Sequence, residues 1–140
     1  MSNLASLREE HAQLIDIVRR LGAMIAKDSP PPSLELGILR RELTSTLIRH
    51  LKAEDWILYP RLLDSPDPVI AETALRFNKE MGGLAAAFMA YAEKWGSMAI
   101  ENDWPGYCRE TAAIAEVLTQ RITRENRELY PLIEKLDRAA

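Results

Sequence analysis

Histidine and cysteine, the residue types that proteins use most often for transition-metal and redox sites, are scarce in this sequence. Its 140 residues include two histidines, His11 and His50, and one cysteine, Cys108. Two histidines exclude a site with three imidazole ligands from one chain, and one cysteine excludes an internal disulfide and a multi-thiolate metal site. A lone cysteine is typical of a reducing compartment, so we expect a cytoplasmic protein.

An excess of basic charge and a long apolar run are also missing. The chain has 18 Lys and Arg residues against 21 Asp and Glu, a formal net charge of -3, which does not favour nucleic acid or an anionic membrane surface as a partner. The longest uncharged stretch, residues 81–92, contains two glycines and is much shorter than the roughly 20 apolar residues of a membrane-spanning helix. We expect one globular domain over residues 1–140.

Proline and glycine divide the chain into four long segments. The breaks lie at residues 29–32, 65–68 and 102–106, and apolar residues recur between them at alternating three- and four-residue spacings. This spacing places one apolar stripe along each helix. Four such helices joined by short loops predict an all-α fold, an antiparallel up-down four-helix bundle.

The third segment has the most regular stripe, which runs from Ile70 to Met98 without interruption. Gly82 and Gly83 lie inside it, although glycine destabilises a helix interior by about 1 kcal/mol relative to alanine. Because small alanines follow them, we expect the two glycines to allow close helix packing. The alternative is that they leave room, or allow a helix bulge, beside a polar cluster.

The chain contains an internal repeat. The segment HLKAEDWILYP, residues 50–60, aligns with RITRENRELYP, residues 121–131, at an offset of 71 residues. Glu54 matches Glu125 in this alignment, and the two Leu-Tyr-Pro triplets coincide. Such self-similarity predicts a bundle built from two copies of one helical hairpin.

The first and third helices take part in the same repeat. The pair Glu-His at residues 10–11 corresponds to the pair Glu-Met at residues 80–81. On the second and fourth helices, Pro60 and Pro131 each remove a backbone hydrogen-bond donor, so we expect a kink or an early end there.

Five ionisable side chains fall in the apolar stripes. The pairs His50 with Glu54 and Arg121 with Glu125 are each four residues apart and therefore share a helix face, and His11 lies in the stripe of the first helix. Buried ions are unfavourable by several kcal/mol each unless they pair or bind an ion. Two carboxylates and one guanidinium sum to -1 (−2 + 1), so one protonated imidazole would make the cluster neutral without metal.

These residues resemble the motifs of hemerythrin-like, or HHE cation-binding, domains. The motifs are EEHAQL around His11, the spacing His50-x-x-x-Glu54 with its Leu-Tyr-Pro, and the second Leu-Tyr-Pro after Glu125. The resemblance implies a bundle in which each hairpin supplies one histidine and one His-x-x-x-Glu motif. Together these ligands would hold a carboxylate-bridged di-iron centre that binds oxygen or a related small molecule.

The resemblance places four residues at metal-ligand positions: His11, His50, Glu54 and Glu125. The two other positions depart from the family pattern, since Met81 and Arg121 stand where histidines are expected. Both departures lie in the second half of the repeat, so one metal position loses all its imidazoles. We therefore expect no complete di-iron centre.

Two functions follow as hypotheses. The first is a non-enzymatic signalling or regulatory interaction module with a protein partner and no cofactor, in which Arg121 replaces the metal between Glu54 and Glu125. The alternative is a single iron or zinc ion on His11, His50, Glu54 and Glu125 that senses or binds a small molecule. Met81 is then expected to fill the core. No nucleophile, phosphate-binding loop or cofactor fingerprint indicates an enzyme.

Two smaller hypotheses complete the sequence interpretation. A partner-binding aromatic patch would come from Trp56, Trp95, Trp104 or Tyr107, although packing is the more common role of such residues. Proton sensing is the other hypothesis, because histidines that face carboxylates can change charge near neutral pH.

Overall fold

The four-helix bundle predicted from the sequence is confirmed. The computed structural model describes the backbone of residues 4–139 and the side chains of residues 4–138, and this part of the chain contains helices and no β-strand. The first helix packs against the second and the fourth, and the third packs against the same two. Each of the four helices therefore packs against two neighbours, as in the square cross-section of an up-down bundle.

The first hairpin consists of two long helices joined at residues 26–32. The second of these helices changes geometry near its end, where a π-helical segment precedes a short α-helical end. The elements are α1 (Leu4–Ile25), α2 (Ser33–Ala53), the first π segment (Glu54–Leu58) and α3 (Tyr59–Leu63).

The second hairpin has the same plan with one more interruption. Its third helix is divided in two, and a short helix lies in the connection to the fourth. The elements are α4 (Pro68–Met81), α5 (Leu84–Lys94), α6 (Ser97–Asn102), α7 (Trp104–Arg124), the second π segment (Glu125–Leu129) and α8 (Tyr130–Ala139).

The regular stripe of the third helix is confirmed over most of its length and is wrong at its end. Ile70 and Trp95 are both buried, whereas Met98 is 76% exposed. The helix ends at Lys94, so Met98 belongs to the separate helix α6 and no longer follows the same periodicity.

The expected role of the two glycines is also wrong. Gly82 and Gly83 are exposed and interrupt the helix, rather than bringing two helices close together. A Cβ atom on Gly82 would lie 2.4 Å from the carbonyl oxygen of Asn78, so this turn accepts only glycine without rearrangement. The interruption falls directly after Met81, beside the buried polar residues.

Neither helix ends at its proline. Pro60 and Pro131 are the second residues of α3 and α8, and each follows a π segment. The N–H of Tyr59 donates to the carbonyl of Glu54, and the N–H of Tyr130 donates to that of Glu125. These i→i+5 bonds insert one extra residue before the proline, where an α-helix would have a steric clash and a missing donor.

The core is divided into two apolar clusters along the bundle axis. On α1, Leu7 belongs to one cluster and Leu14 to the other, and the buried His11 lies between them. On the fourth helix, Glu125 lies in the same way between Ile122 and Leu129. The ionisable side chains thus form a polar layer across the middle of an apolar interior.

Most of the candidate aromatic patch is buried. The core contains Trp95, Trp104 and Tyr107, which agrees with the packing role that is more common for such residues. Trp56, in contrast, is 71% exposed. Among the described residues, no helix is long and apolar enough to cross a membrane.

Candidate metal centre

The polar layer brings together the four residues assigned to metal-ligand positions. Each offers one nitrogen or oxygen atom, and these four atoms lie within 4.8 Å of one another. All four residues are at most 1% exposed. The residues are His11 on α1, His50 on α2, and Glu54 and Glu125 at the start of the two π segments.

Each histidine is oriented by a hydrogen bond at the ring nitrogen that points away from the centre. Nδ1 of His11 lies 2.8 Å from Oδ1 of Asn126, and Nδ1 of His50 lies 2.8 Å from Oε1 of Glu10. Acceptors at Nδ1 fix the ring orientation and direct Nε2 to the site. Nε2 of His11 accordingly lies 3.1 Å from a Glu125 oxygen.

Two tyrosines connect the halves of the site. The hydroxyl of Tyr59 donates to Oε2 of Glu125 at 2.7 Å, and the hydroxyl of Tyr130 donates to Oε2 of Glu54. Each tyrosine belongs to one Leu-Tyr-Pro triplet and binds the glutamate of the other triplet's helix. Burial, followed by the nearby carboxylates, raises the pKa of both phenols, so they remain protonated donors.

Arg121 fills the second half of the centre. Its Nε donates to Oε2 of Glu125 at 3.0 Å, and its Nη2 donates to Oε1 of Glu54 at 3.0 Å. Nη2 also donates to Asp55, and Nη1 donates to the main-chain carbonyl of Met81 at 3.3 Å. The guanidinium, which is 2% exposed, thus connects the two π segments to the end of α4.

Met81 contributes its backbone to this arrangement. Its side chain packs in the apolar cluster near Leu129, which confirms that it fills core. The helix break at Gly82 and Gly83 follows at once, and Arg121 reaches the Met81 carbonyl at this point. The glycines therefore lie beside the polar cluster, as the alternative interpretation of them proposed.

The pKa values of the two buried glutamates are shifted in opposite directions. Burial raises the pKa of Glu54, but the hydrogen bond and charge of His50 and the charge of Arg121 outweigh it and lower the pKa to about 2. Burial and the neighbouring Glu54 charge raise the pKa of Glu125 to about 7, although the His11 hydrogen bond and Arg121 oppose them. Glu54 is consequently the permanent anion of the pair.

The pKa of His50 reflects the same competition. Burial lowers it, but the hydrogen bond and charge of Glu54, together with the hydrogen bond to Glu10, raise it overall above its ordinary value. Burial lowers the pKa of Arg121 as well, but the carboxylates of Glu125, Glu54 and Asp55 outweigh it and raise that pKa overall. The cluster thus keeps its cations next to its carboxylates.

Sequence reasoning missed five contributors to the site: Glu10, Asp55, Tyr59, Asn126 and Tyr130. The internal repeat contains a sequence signal that could have identified these five residues. Three of the five directly precede or follow a candidate ligand, and the other two are the equivalent tyrosines of the Leu-Tyr-Pro triplets. Their positions relative to the ligands could have been noticed, although their contacts with the opposite half could not.

A di-iron centre does not fit these side chains. The second metal position has a methionine and an arginine in place of imidazoles, and the guanidinium lies between the carboxylates that would bridge two ions. Each of the four carboxylate oxygens of Glu54 and Glu125 already has a donor or ring nitrogen nearby. The donor set of the first half, with two imidazoles and two carboxylates, could hold one ion.

Comparison with known proteins assigns the family. The family model of the hemerythrin HHE cation-binding domain matches residues 2–133. Searches of curated proteins and of solved structures gave no match. The matched range includes the first hairpin, the second hairpin up to residue 133 and every candidate ligand, and the chain belongs to the hemerythrin HHE cation-binding domain family.

Proposed function

We propose that this protein is a metal-free hemerythrin-like domain that acts as a signalling or regulatory interaction module, with Arg121 in place of metal. The observation that carries the proposal is that this one guanidinium bridges Glu54 and Glu125 from the fourth helix. A metal in this family would neutralise and connect the same two carboxylates.

The chemistry of arginine supports this replacement. A guanidinium is a permanent cation with five N–H donors in a fixed plane, so it can bind several carboxylates at once. Arg121 uses three nitrogens on Glu54, Glu125, Asp55 and the Met81 carbonyl. A divalent cation placed next to it would be repelled by a fixed positive charge.

The burial of the cluster favours a non-enzymatic role. The candidate ligands and Arg121 are at most 2% exposed, and their hydrogen bonds are made with one another and with neighbouring side chains. A substrate would have to displace these contacts to reach a reactive group. A buried cluster whose charged groups already pair with one another is better suited to stabilise the fold than to catalyse a reaction.

An exposed part of the first π segment is our candidate for partner contact. Trp56 and Ile57 are 71% and 56% exposed, two and three residues after the buried Glu54. Exposed aromatic side chains are common centres of protein interfaces. Because the same short segment carries Glu54 and Asp55 to Arg121, the cluster sets the position of this surface.

Metal analysis tests the metal-free assignment. Untagged protein would be purified from a culture supplied with iron, zinc and manganese, and its metals measured by inductively coupled plasma mass spectrometry. We expect far less than one metal per chain. One equivalent of a single metal that is retained through gel filtration would overturn the assignment.

The interaction role needs a separate test. Affinity capture from the native host would compare the wild type, the variant Trp56→Ala, and the control Met98→Ala, which removes another exposed apolar side chain. We expect one partner that the wild type and the control retain and the Trp56 variant loses. Equal capture by all three proteins would contradict a partner surface at Trp56.

The second candidate is a single-ion domain. The observation that favours it is that His11, His50, Glu54 and Glu125 place ligand atoms within 4.8 Å of one another. Iron or zinc would be held there by imidazole nitrogens and carboxylate oxygens, and the bound ion would supply a coordination position for a small ligand. Loss of the metal in His11→Ala and His50→Ala, but not in Met81→Leu, would identify this candidate.

A further inference from the structure

We propose that a groove between α2 and α5, away from the charge cluster, binds a small organic anion that carries a planar apolar group. Arg41 in this groove is nine residues from His50 on the same helix, a separation of about 13 Å along the axis. The proposal does not depend on whether the domain holds a metal.

The shape of the groove comes from small residues on both helices. Its volume is about 350 Å³, at the lower end of the roughly 300–1,000 Å³ of small-molecule sites. Gly37 on α2 and Ala92 on α5 line it, and a Cβ atom added to Gly37 would meet nothing within 4 Å. A larger side chain at position 37 would therefore occupy this space.

The charge of the groove is opposite to that of the whole chain. Arg40 and Arg41 both line it, and no Asp or Glu is among its described lining residues, whereas the chain as a whole carries a formal charge of -3. Arg40 donates a hydrogen bond to the Trp95 carbonyl at the end of α5. Within the described part of the chain, Arg41 has no hydrogen-bond or ion-pair partner, so its guanidinium is available to an anion.

The apolar wall indicates the rest of the ligand. Phe88 and Tyr91 line the groove beside Trp95, and the Phe88 and Tyr91 ring centroids are 5.8 Å apart. The Tyr91 hydroxyl lies 2.6 Å from Thr111 Oγ1, so its polar atom is already engaged. Aromatic side chains next to a guanidinium suit a planar ring that bears a carboxylate or a phosphate.

Calorimetric titration with matched probes tests both features of the ligand. The probes are 2-naphthoate, 2-naphthyl phosphate and the neutral 2-naphthalenemethanol, each titrated into the full-length protein. We expect one site per chain and an affinity for an anionic probe at least tenfold higher than for the alcohol. The anion that binds more tightly identifies the head group. Equal binding of the alcohol, or no binding of either anion, would overturn the proposal.

Two variants locate the site. Arg41→Ala should weaken anion binding by about tenfold or more and leave the weak alcohol binding unchanged, while Gly37→Leu should abolish binding of all three probes. Arg19→Ala is the control, because Arg19 is an exposed arginine on α1 that pairs with Asp16. Thermal denaturation monitored by circular dichroism confirms that each variant is folded. Unchanged anion affinity in Arg41→Ala, or equal loss in the control, would contradict the assignment.

Discussion

Tyr59 and Tyr130 are equivalent residues of the two hairpins, 71 positions apart in the sequence, and each donates its hydroxyl to the glutamate of the other hairpin. This exchange is possible because each tyrosine follows its own glutamate by five residues through a π segment. The two hairpins are thereby connected through their buried carboxylates as well as through apolar packing.

The tyrosine exchange predicts a large effect of a small substitution. Tyr59→Phe removes one hydroxyl and leaves a buried Glu125 oxygen with one donor fewer. A hydrogen bond to a charged group contributes about 1.5–3 kcal/mol, so at pH 8, above the Glu125 pKa of about 7, we expect the free energy of unfolding to fall by that amount in urea denaturation. The control is Tyr91→Phe, which removes a bond between two neutral hydroxyls and should cost about 1 kcal/mol. An equal or smaller loss in the Tyr59 variant would contradict the prediction.

Arg121 should be essential for stability in the metal-free protein. Arg121→Met keeps much of the side-chain volume but leaves Glu54 and Glu125 buried without their shared cation. Removing one partner of a buried ion pair costs about 3–5 kcal/mol, and urea denaturation would measure the loss. Arg124→Met removes a partly exposed arginine that pairs with Glu80, and its loss should be at most about 1 kcal/mol. A similar, small loss in both variants would show that Arg121 does not hold the cluster together.

The second half of the site retains the partners that histidines would need. Glu80 corresponds to Glu10, the acceptor of His50, and Asp55 corresponds to Asn126, the acceptor of His11. At present Glu80 pairs with Arg124, and Asp55 accepts from Arg121. This half therefore has acidic residues at the surrounding positions, with a methionine and an arginine where the resemblance expects imidazoles.

Restoring the two imidazoles should consequently restore metal binding. The double variant Met81→His/Arg121→His removes the guanidinium and completes the ligand pattern of the family, so we expect uptake of Co²⁺ with d–d absorption and close to two ions per chain. Adding Asp55→Ala to the double variant should weaken binding by about 10- to 100-fold, the usual effect of losing an outer partner. The single variant Met81→His serves as the control, because it keeps Arg121. No cobalt uptake by a folded double variant would refute the replacement hypothesis.

The sequence predicted the bundle well because a four-helix fold depends mainly on periodicity and on breaks, and both are visible in one chain. It also predicted that His11, His50, Glu54, Glu125 and Arg121 come together, since each lies in an apolar stripe at a similar height. Local geometry was harder to predict. The π segments depend on how a proline is accommodated inside a helix. The early end that was one expectation is not found, and a π segment was not predicted.

The errors in the third helix have a related cause. Periodicity alone continued the stripe from Ile70 through Met98, but the chain turns at Gly82 and again after Trp95. The turn at Gly82 requires glycine because a Cβ atom there would meet the carbonyl and side-chain oxygens of Asn78, and no sequence pattern reveals this close approach. The cross-hairpin contacts of Tyr59 and Tyr130 were missed for the same reason, because they depend on the packing of two helices far apart in sequence.

The protonation of the cluster predicts how stability depends on pH. The pKa of Glu125 is raised to about 7, and that of His50 is also raised. A group whose pKa is higher in the folded state stabilises the fold below its ordinary pKa, and this stabilisation is lost as the pH rises through the folded value. The pKa of Glu54 is lowered to about 2, so its contribution is present above its ordinary pKa and is lost as the pH falls towards 2. The metal-free protein should therefore be most stable near pH 5.

Urea denaturation at several pH values between 5 and 8 measures this dependence. We expect the free energy of unfolding to fall by on the order of 2 kcal/mol over this range, since one pKa unit corresponds to about 1.4 kcal/mol. Glu125→Gln mimics the protonated carboxyl and should reduce the slope, because it removes the group that loses its proton. The exposed Glu116 provides the control Glu116→Gln, which should keep the wild-type slope. A flat wild-type profile from pH 5 to 8 would contradict both the assigned protonation and the proton-sensing hypothesis, because no buried group would then change its charge on folding in this interval.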